Sequence, residues 1–244
     1  MKDFSLTNSE ITLNYPRKGK RPGKLLVKKI EPLFQVLYKF YCKRTHRYNY
    51  FGIQVSVPPG IFNPQLSFST KYLLSFLSKE DLKGHSFLEV GSGSGVVSLF
   101  AAKIGAQVTA VDINPLAINC TRENAESNGL NVDGILSDVF EAIPDSTFDF
   151  IVVNPPYYPE APKNDIEKAW FCGENFDFFH RFFSQLKSYL KIDSRTFMVL
   201  SEDCEIEEIK HIANMSGFSM EVESEKLIYW EINYIFLIQH INAN

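Results

Sequence analysis

The sequence predicts an α/β fold: a doubly wound, mostly parallel sheet with an antiparallel hairpin at one edge, preceded by a small basic N-terminal extension. Three observations carry that prediction. From Ser86 onward, short apolar stretches of strand length alternate with longer stretches of helical periodicity. A glycine-rich turn, "EVGSGSGV", joins the first of these strands to the helix that follows. The last two strand-like segments, "FSMEVES" and "INYIFLIQ", succeed one another with no helix between them, as antiparallel neighbours do.

Taken in order, "SFLEV" reads as a short buried strand, "GVVSLFAAKIG" as a helix and "VTAVDI" as a second strand. "NPLAINCTRENAESNG" is a helix with Pro115 at its first position and Gly129 past its end. A weaker strand follows near Ile135, and "FDFIVV" is a clear one. "FDFFHRFFSQLKSYL" is amphipathic, with Phe176, Phe179, Phe183, Leu186 and Leu190 three or four apart. "TFMVLS" is a strand and "EIEEIKHIANMSG" a helix. Upstream, "VPPGIFNPQLSFST" is a turn-rich connector into a helix at "TKYLLSFLS". "LLVKKIEPLFQVLYKFY" has helical spacing broken near Pro32, and "NYPRKGKRPGK" reads as a mobile arm that can bury little. The expected division is an extension over 1–60, an arm plus short helices, and a main domain over 61–244.

At 244 residues and 45% hydrophobic, the chain can bury a sizeable core. No apolar run is long enough to cross a membrane, and the start matches no signal peptide. The four cysteines are scattered without a CxxC or Cys/His cluster, so neither a metal site nor a disulfide framework is expected, and a cytoplasmic setting is. The net charge of -4 conceals an asymmetry: residues 1–60 carry 12 Lys/Arg against 3 Asp/Glu, and the rest 13 against 26. A basic extension on an acidic body suggests contact with a polyanion, or else a solvated tail.

The candidate site gathers where strands end. Gly91, Gly93 and Gly95 allow a tight turn and close approach of backbone to a ligand. Their spacing is G-x-G-x-G, not the G-x-G-x-x-G of a dinucleotide fingerprint. Asp112 ends the second strand, where a carboxylate accepts from ribose hydroxyls. Asp138, in "LSDVF", falls at the same sheet edge within reach of an adenine amino group. Glu89, just before the glycine turn, is either a contact for the cofactor's amino group or a polar strand end. His85, His180 and His211 stand isolated and suggest no catalysis.

"NPPYYP", directly after "FDFIVV", completes an order of motifs that resembles class I S-adenosylmethionine-dependent methyltransferases. NPPY marks their branch that acts on planar nitrogens, and "NPPYYP…KAWFCGENFDFFHRFFSQL" resembles the HemK-type glutamine methyltransferases. "FST" (Phe68 to Thr70) is similar to that family's Thr-containing segment. The resemblance runs from about Pro58 to the C-terminus. It implies S-adenosyl-L-methionine as cofactor, held by Thr70, Glu89, Gly91, Gly93, Gly95, Asp112, Ile113, Asp138, Val139 and Asn154. It implies a catalytic corner of Asn154, Pro155, Pro156 and Tyr157. Such residues suit the chemistry. An amide or base amine is a weak nucleophile, and acceptors at Asn154 and the Pro155 carbonyl can orient its N–H groups and stabilise the charge that grows on nitrogen. Pro156 fixes the backbone and Tyr157 offers a flat apolar face.

The expected function is N-methylation of a glutamine side-chain amide in a translation protein. The family's separate N-terminal helical bundle is not visible, and a basic stretch stands in its place. That stretch suits ribosomal or transfer RNA, so methylation of an exocyclic base amine is the alternative. A non-catalytic RNA-binding or ribosome-assembly module is a third reading.

Overall fold

The computed structural model describes residues 44–241, apart from 166, 229 and 230. The basic arm of Asn14 to Lys24 and the helical stretch of Leu25 to Tyr41 lie outside the described residues.

The described chain opens with an antiparallel hairpin, β1 (His46–Tyr50) and β2 (Ile53–Val57), absent from the sequence-based expectation. Its two-residue turn, Phe51 and Gly52, takes positive φ at both positions (49° and 75°), the twist that a tight hairpin needs. Tyr50, Ile53, Val55 and Val57 are buried in the main core, so this stretch belongs to the body and not to the extension assigned over 1–60.

Helix α1 (Phe68–Leu77) follows, then β3 (Ser86–Val90), α2 (Val96–Lys103), β4 (Gln107–Asp112), α3 (Pro115–Ser127), β5 (Val132–Leu136) and β6 (Phe148–Val153). Next come α4 (Asp177–Leu186), β7 (Leu190–Ser201), α5 (Ile206–Met215), β8 (Phe218–Ile228) and β9 (Glu231–His240). Strands β3 to β9 form one seven-stranded sheet in the order β5-β4-β3-β6-β7-β9-β8. The first five are parallel; β9 pairs antiparallel with both β7 and β8. This is the doubly wound sheet with an antiparallel edge that the sequence predicts.

Side-chain alternation along the strands divides the core in two. Phe87, Phe150 and Val152 face one side with residues of α1, α2 and α3, whereas Leu88, Ile151 and Val153 face the other with α4 and α5. Helix α4 is shorter than its apolar spacing suggests. Phe176 caps it in a left-handed conformation (φ 56°), a single 3-10 turn succeeds Leu186, and Leu190 already belongs to β7. Phe179, Phe182, Phe183 and Leu186 form its buried face, so the phenylalanines are packing.

The strand order reverses between β3 and β6. In such a sheet the crevice beyond the strands' C-terminal ends, at the reversal, is where ligands bind.

Candidate active site

A cavity of about 540 Å³ opens at that reversal, lined by the loops that leave β3, β4, β5 and β6 together with the start of α1. Nearly all of the residues expected to form the site line it: Thr70, Glu89, Gly91, Gly93, Asp112, Ile113, Asp138, Val139 and Asn154 to Tyr157.

Gly95 is the exception. It lies outside the lining, and a Cβ there would sit 2.8 Å from the Thr121 side chain at a φ of 78°. Packing against α3, not a ligand, demands glycine at Gly95. Gly91 and Gly93 also have positive φ, but a Cβ on either meets no protein atom within 4 Å, so the space they leave open is free for a ligand.

Asp112 braces this loop. Its Oδ2 accepts from the Gly93 N–H at 2.8 Å and its Oδ1 from the Asn114 N–H at 2.9 Å. Burial raises its pKa despite those bonds. Glu89 is buried at the end of β3, where one carboxyl oxygen accepts from the Ser98 N–H at 2.8 Å and from the Ser98 hydroxyl. Loss of solvent is the main influence on it and pushes its pKa up to about 8. Val139, a β-branched residue held at φ 52°, is a strained point on the cavity wall.

Asp138 has a companion that sequence reading missed. Arg181, on α4, brings its Nε within 3.3 Å of the Asp138 carboxylate. The Nε is buried and lacks an aligned hydrogen bond, so the pair is a loose one. A lone cation within a phenylalanine-rich helix was the available signal.

At the corner, alternation along β6 puts Asn154 on the same face as Val152, toward α1. Its Nδ2 donates to the Ser69 hydroxyl at 3.2 Å and more weakly to the Thr70 hydroxyl at 3.5 Å. No donor among the described residues reaches its Oδ1. Tyr157 is half-buried against the α4 side of the core, 4.7 Å from the Tyr158 ring, and burial raises its phenol pKa well above the ordinary value. Beyond it the chain folds back: the Tyr158 N–H donates to the Trp170 carbonyl and the Cys172 N–H to the Tyr158 carbonyl. Trp170 meets Phe62 edge-on at 5.0 Å, forming part of the cavity wall. Among the described residues no group of His, Cys, Asp or Glu could hold a metal ion.

Fold and site together define a methyltransferase of the class I, S-adenosylmethionine-dependent type. The chain belongs to the methyltransferase small domain family, whose model matches residues 52–226. A Methanocaldococcus jannaschii protein, provisionally named a protein N5-glutamine methyltransferase, is 30% identical over 186 residues, which is 74% of this chain and 92% of the relative. The human methyltransferase HEMK2 is 37% identical over 141 residues, 53% of this chain and 66% of the relative. Among solved structures, the Thermus thermophilus 16S rRNA N2 G1207 methyltransferase RsmC, in complex with AdoMet and guanosine, superposes with a TM-score of 0.59 at 20% identity. That match covers 82% of this chain and 50% of RsmC, and at such identity the likeness is one of fold.

The residues present fit the cofactor. Two open glycines leave space for a ligand beside the backbone, and the carboxyl groups of a braced Asp112 and of Glu89 line the same cavity.

Proposed function

We propose that the protein methylates the side-chain amide of a glutamine in another protein. The observation that carries this reading is the carboxamide of Asn154, a residue of the cavity lining, whose Nδ2 donates to Ser69 and Thr70 while no protein donor among the described residues reaches its oxygen. S-adenosylmethionine, when bound, supplies an electrophilic methyl group on a sulfonium. Asp112 and Asp138 would hold the nucleoside, and Glu89 the ammonium.

Asn154 Oδ1 and the Pro155 carbonyl each accept one N–H of the substrate's NH₂ group. Those acceptors align the nitrogen lone pair and stabilise the positive charge that develops there, with little reorganisation because they are already in place. Pro156 fixes the turn, and Tyr157 covers the substrate plane. The methylated nitrogen is acidic enough to release its proton to water, so no strong base is required.

Two observations favour an amide over a nucleic acid at the cavity. Besides Glu89, which is neutral at pH 7, five acids line it (Asp112, Asp138, Asp165, Asp177 and Glu231) against two cations, Lys168 and Arg181, a balance that disfavours phosphate. The relatives named above include one provisionally named for N5-glutamine methylation.

The basic extension supports a second reading, methylation of a base amine in RNA, since residues 1–43, ahead of the hairpin, carry 10 Lys/Arg against 3 Asp/Glu. Even with a protein substrate, the extension provides a contact for the ribosome or transfer RNA. A cytoplasmic setting accords with the three described cysteines, which are free thiols.

Incubation with tritiated S-adenosylmethionine and a cell extract tests the reading. Label recovered as methylated glutamine in the protein fraction is expected; label in RNA alone would overturn the amide in favour of the base.

A further inference from the structure

We infer that Ser69 is a positioning residue, whose hydroxyl holds the Asn154 carboxamide with its oxygen turned toward the substrate nitrogen. The inference rests on the catalytic reading of Asn154.

A carboxamide rotated by half a turn has nearly the same shape but exchanges an acceptor for two donors. Facing a substrate NH₂ group, the wrong orientation sets donors against donors and loses the stabilisation of developing positive charge. The site therefore requires something that distinguishes the two ends of Asn154, and the start of α1 provides it.

Ser67 caps α1, its Oγ accepting from the Thr70 N–H at 3.3 Å. The Thr70 hydroxyl donates to the same Oγ at 3.2 Å, so its proton is committed and Thr70 Oγ1 can only accept. With both lone pairs of Ser67 Oγ taken, its own proton is left for the Ser69 oxygen, 2.8 Å away. Ser69 Oγ, accepting from Ser67 on one lone pair, takes Asn154 Nδ2 on the other at 3.2 Å, and the Thr70 oxygen accepts from it at 3.5 Å. They receive the NH₂ end of the carboxamide and leave Oδ1 to the cavity. The Thr70 N–H can only donate, which holds one lone pair of Ser67 Oγ permanently occupied. Ser67 and Thr70 are buried, which shields the relay from competing water. Of the two contacts to Asn154, that of Ser69 is the shorter.

The test uses the full chain, tritiated S-adenosylmethionine and whichever extract fraction, protein or RNA, accepts label. Ser69→Ala is expected to lower the transfer rate at saturating cofactor by roughly tenfold, the scale of one ordinary hydrogen bond, with cofactor Kd and Tm little changed. Ser69→Thr, which keeps the hydroxyl, should restore most of the rate. In an Asn154→Ala background, adding Ser69→Ala should have no further effect, because Ser69 acts only through Asn154. An unchanged rate in Ser69→Ala, or a loss that multiplies with that of Asn154→Ala, would overturn the inference while leaving the corner's role intact. Wild-type turnover in Asn154→Ala alone would instead remove the catalytic reading, and this inference with it.

Discussion

The Nε of Arg181 lies 3.3 Å from the carboxylate of Asp138, tying an acid at the end of the sheet to a helix on its far face. Both side chains are part exposed, 40% and 30%, so the pair contributes little to stability, under about 1 kcal/mol. Arg181→Met should leave the denaturant midpoint nearly unchanged. Asp138→Ala and Asp112→Ala should each weaken S-adenosylmethionine binding by roughly 1–3 kcal/mol, the scale for losing a hydrogen-bond acceptor from a site. For Asp138 the loss should vanish when the probe is an analogue without the adenine amino group. Calorimetry on the variants with both ligands checks this, and equal losses for both would refute the assignment of Asp138.

Glu89 should couple cofactor binding to pH. With its pKa near 8, the buried group holds a proton at neutral pH in the free protein. An ammonium placed beside it favours the carboxylate, so binding should expel that proton, and affinity should rise as pH climbs toward 8 and then level off. Calorimetry at pH 7 in buffers of different ionisation enthalpy should detect proton release, and none in Glu89→Gln. The effect on folding has the opposite slope. A carboxyl whose folded pKa is raised from 4.5 adds stability that is complete below that value and is lost as pH rises through 8. Glu89→Gln should keep its stability across the same window.

Gly95 should behave differently from its neighbours in the loop. Gly95→Ala combines left-handed strain with a Cβ 2.8 Å from Thr121 and should destabilise the fold by about 1–3 kcal/mol. Gly93→Ala carries strain without the collision and should be milder in urea denaturation, its larger effect falling on cofactor affinity. Equal stability losses at the two positions would contradict the packing role of Gly95.

The basic extension separates the two substrate readings. Arg17, Lys18, Lys20, Arg21, Lys24, Lys28 and Lys29 place seven cations within thirteen residues. If RNA is the substrate, log affinity should fall by about 0.7 per phosphate contacted for each unit of log salt. Deleting residues 1–24 should then flatten that slope and raise KM while sparing kcat. Mild salt dependence, with label in protein, is the outcome expected of the amide.

Strands β3, β4 and β6 are legible in the sequence because their apolar runs end on a glycine, an acid and the Asn-Pro corner, whereas β5, with Asp133 and Gly134 inside it, reads more weakly. The β1–β2 hairpin escapes notice for a local reason. Tyr48, Tyr50, Ile53, Val55 and Val57 do alternate, but its turn is Phe51-Gly52, and phenylalanine is not a residue that announces positive φ. The start of α4 is hidden likewise, by a left-handed Phe176 without a capping side chain. At the site, residue types near a motif were readable, whereas Ser69 reaches Asn154 across 85 residues of chain and Arg181 meets Asp138 from a helix on the other side of a loop. Contacts of that kind depend on the folded geometry, and no local pattern carries them.

The place of β9 has a consequence for how the chain is made. It is the last strand in sequence yet lies inside the sheet, bonded on both sides, to β7 and to β8. Until it emerges, a growing chain carries the long, apolar edge of β7 unpaired, and β8 has no partner. The half of the sheet that bears the glycine turn and the Asn154 corner can assemble earlier. A chain ending at Ile228 should therefore self-associate through that open edge, visible as light scattering during refolding, and restoring Glu231 to His240 should abolish it.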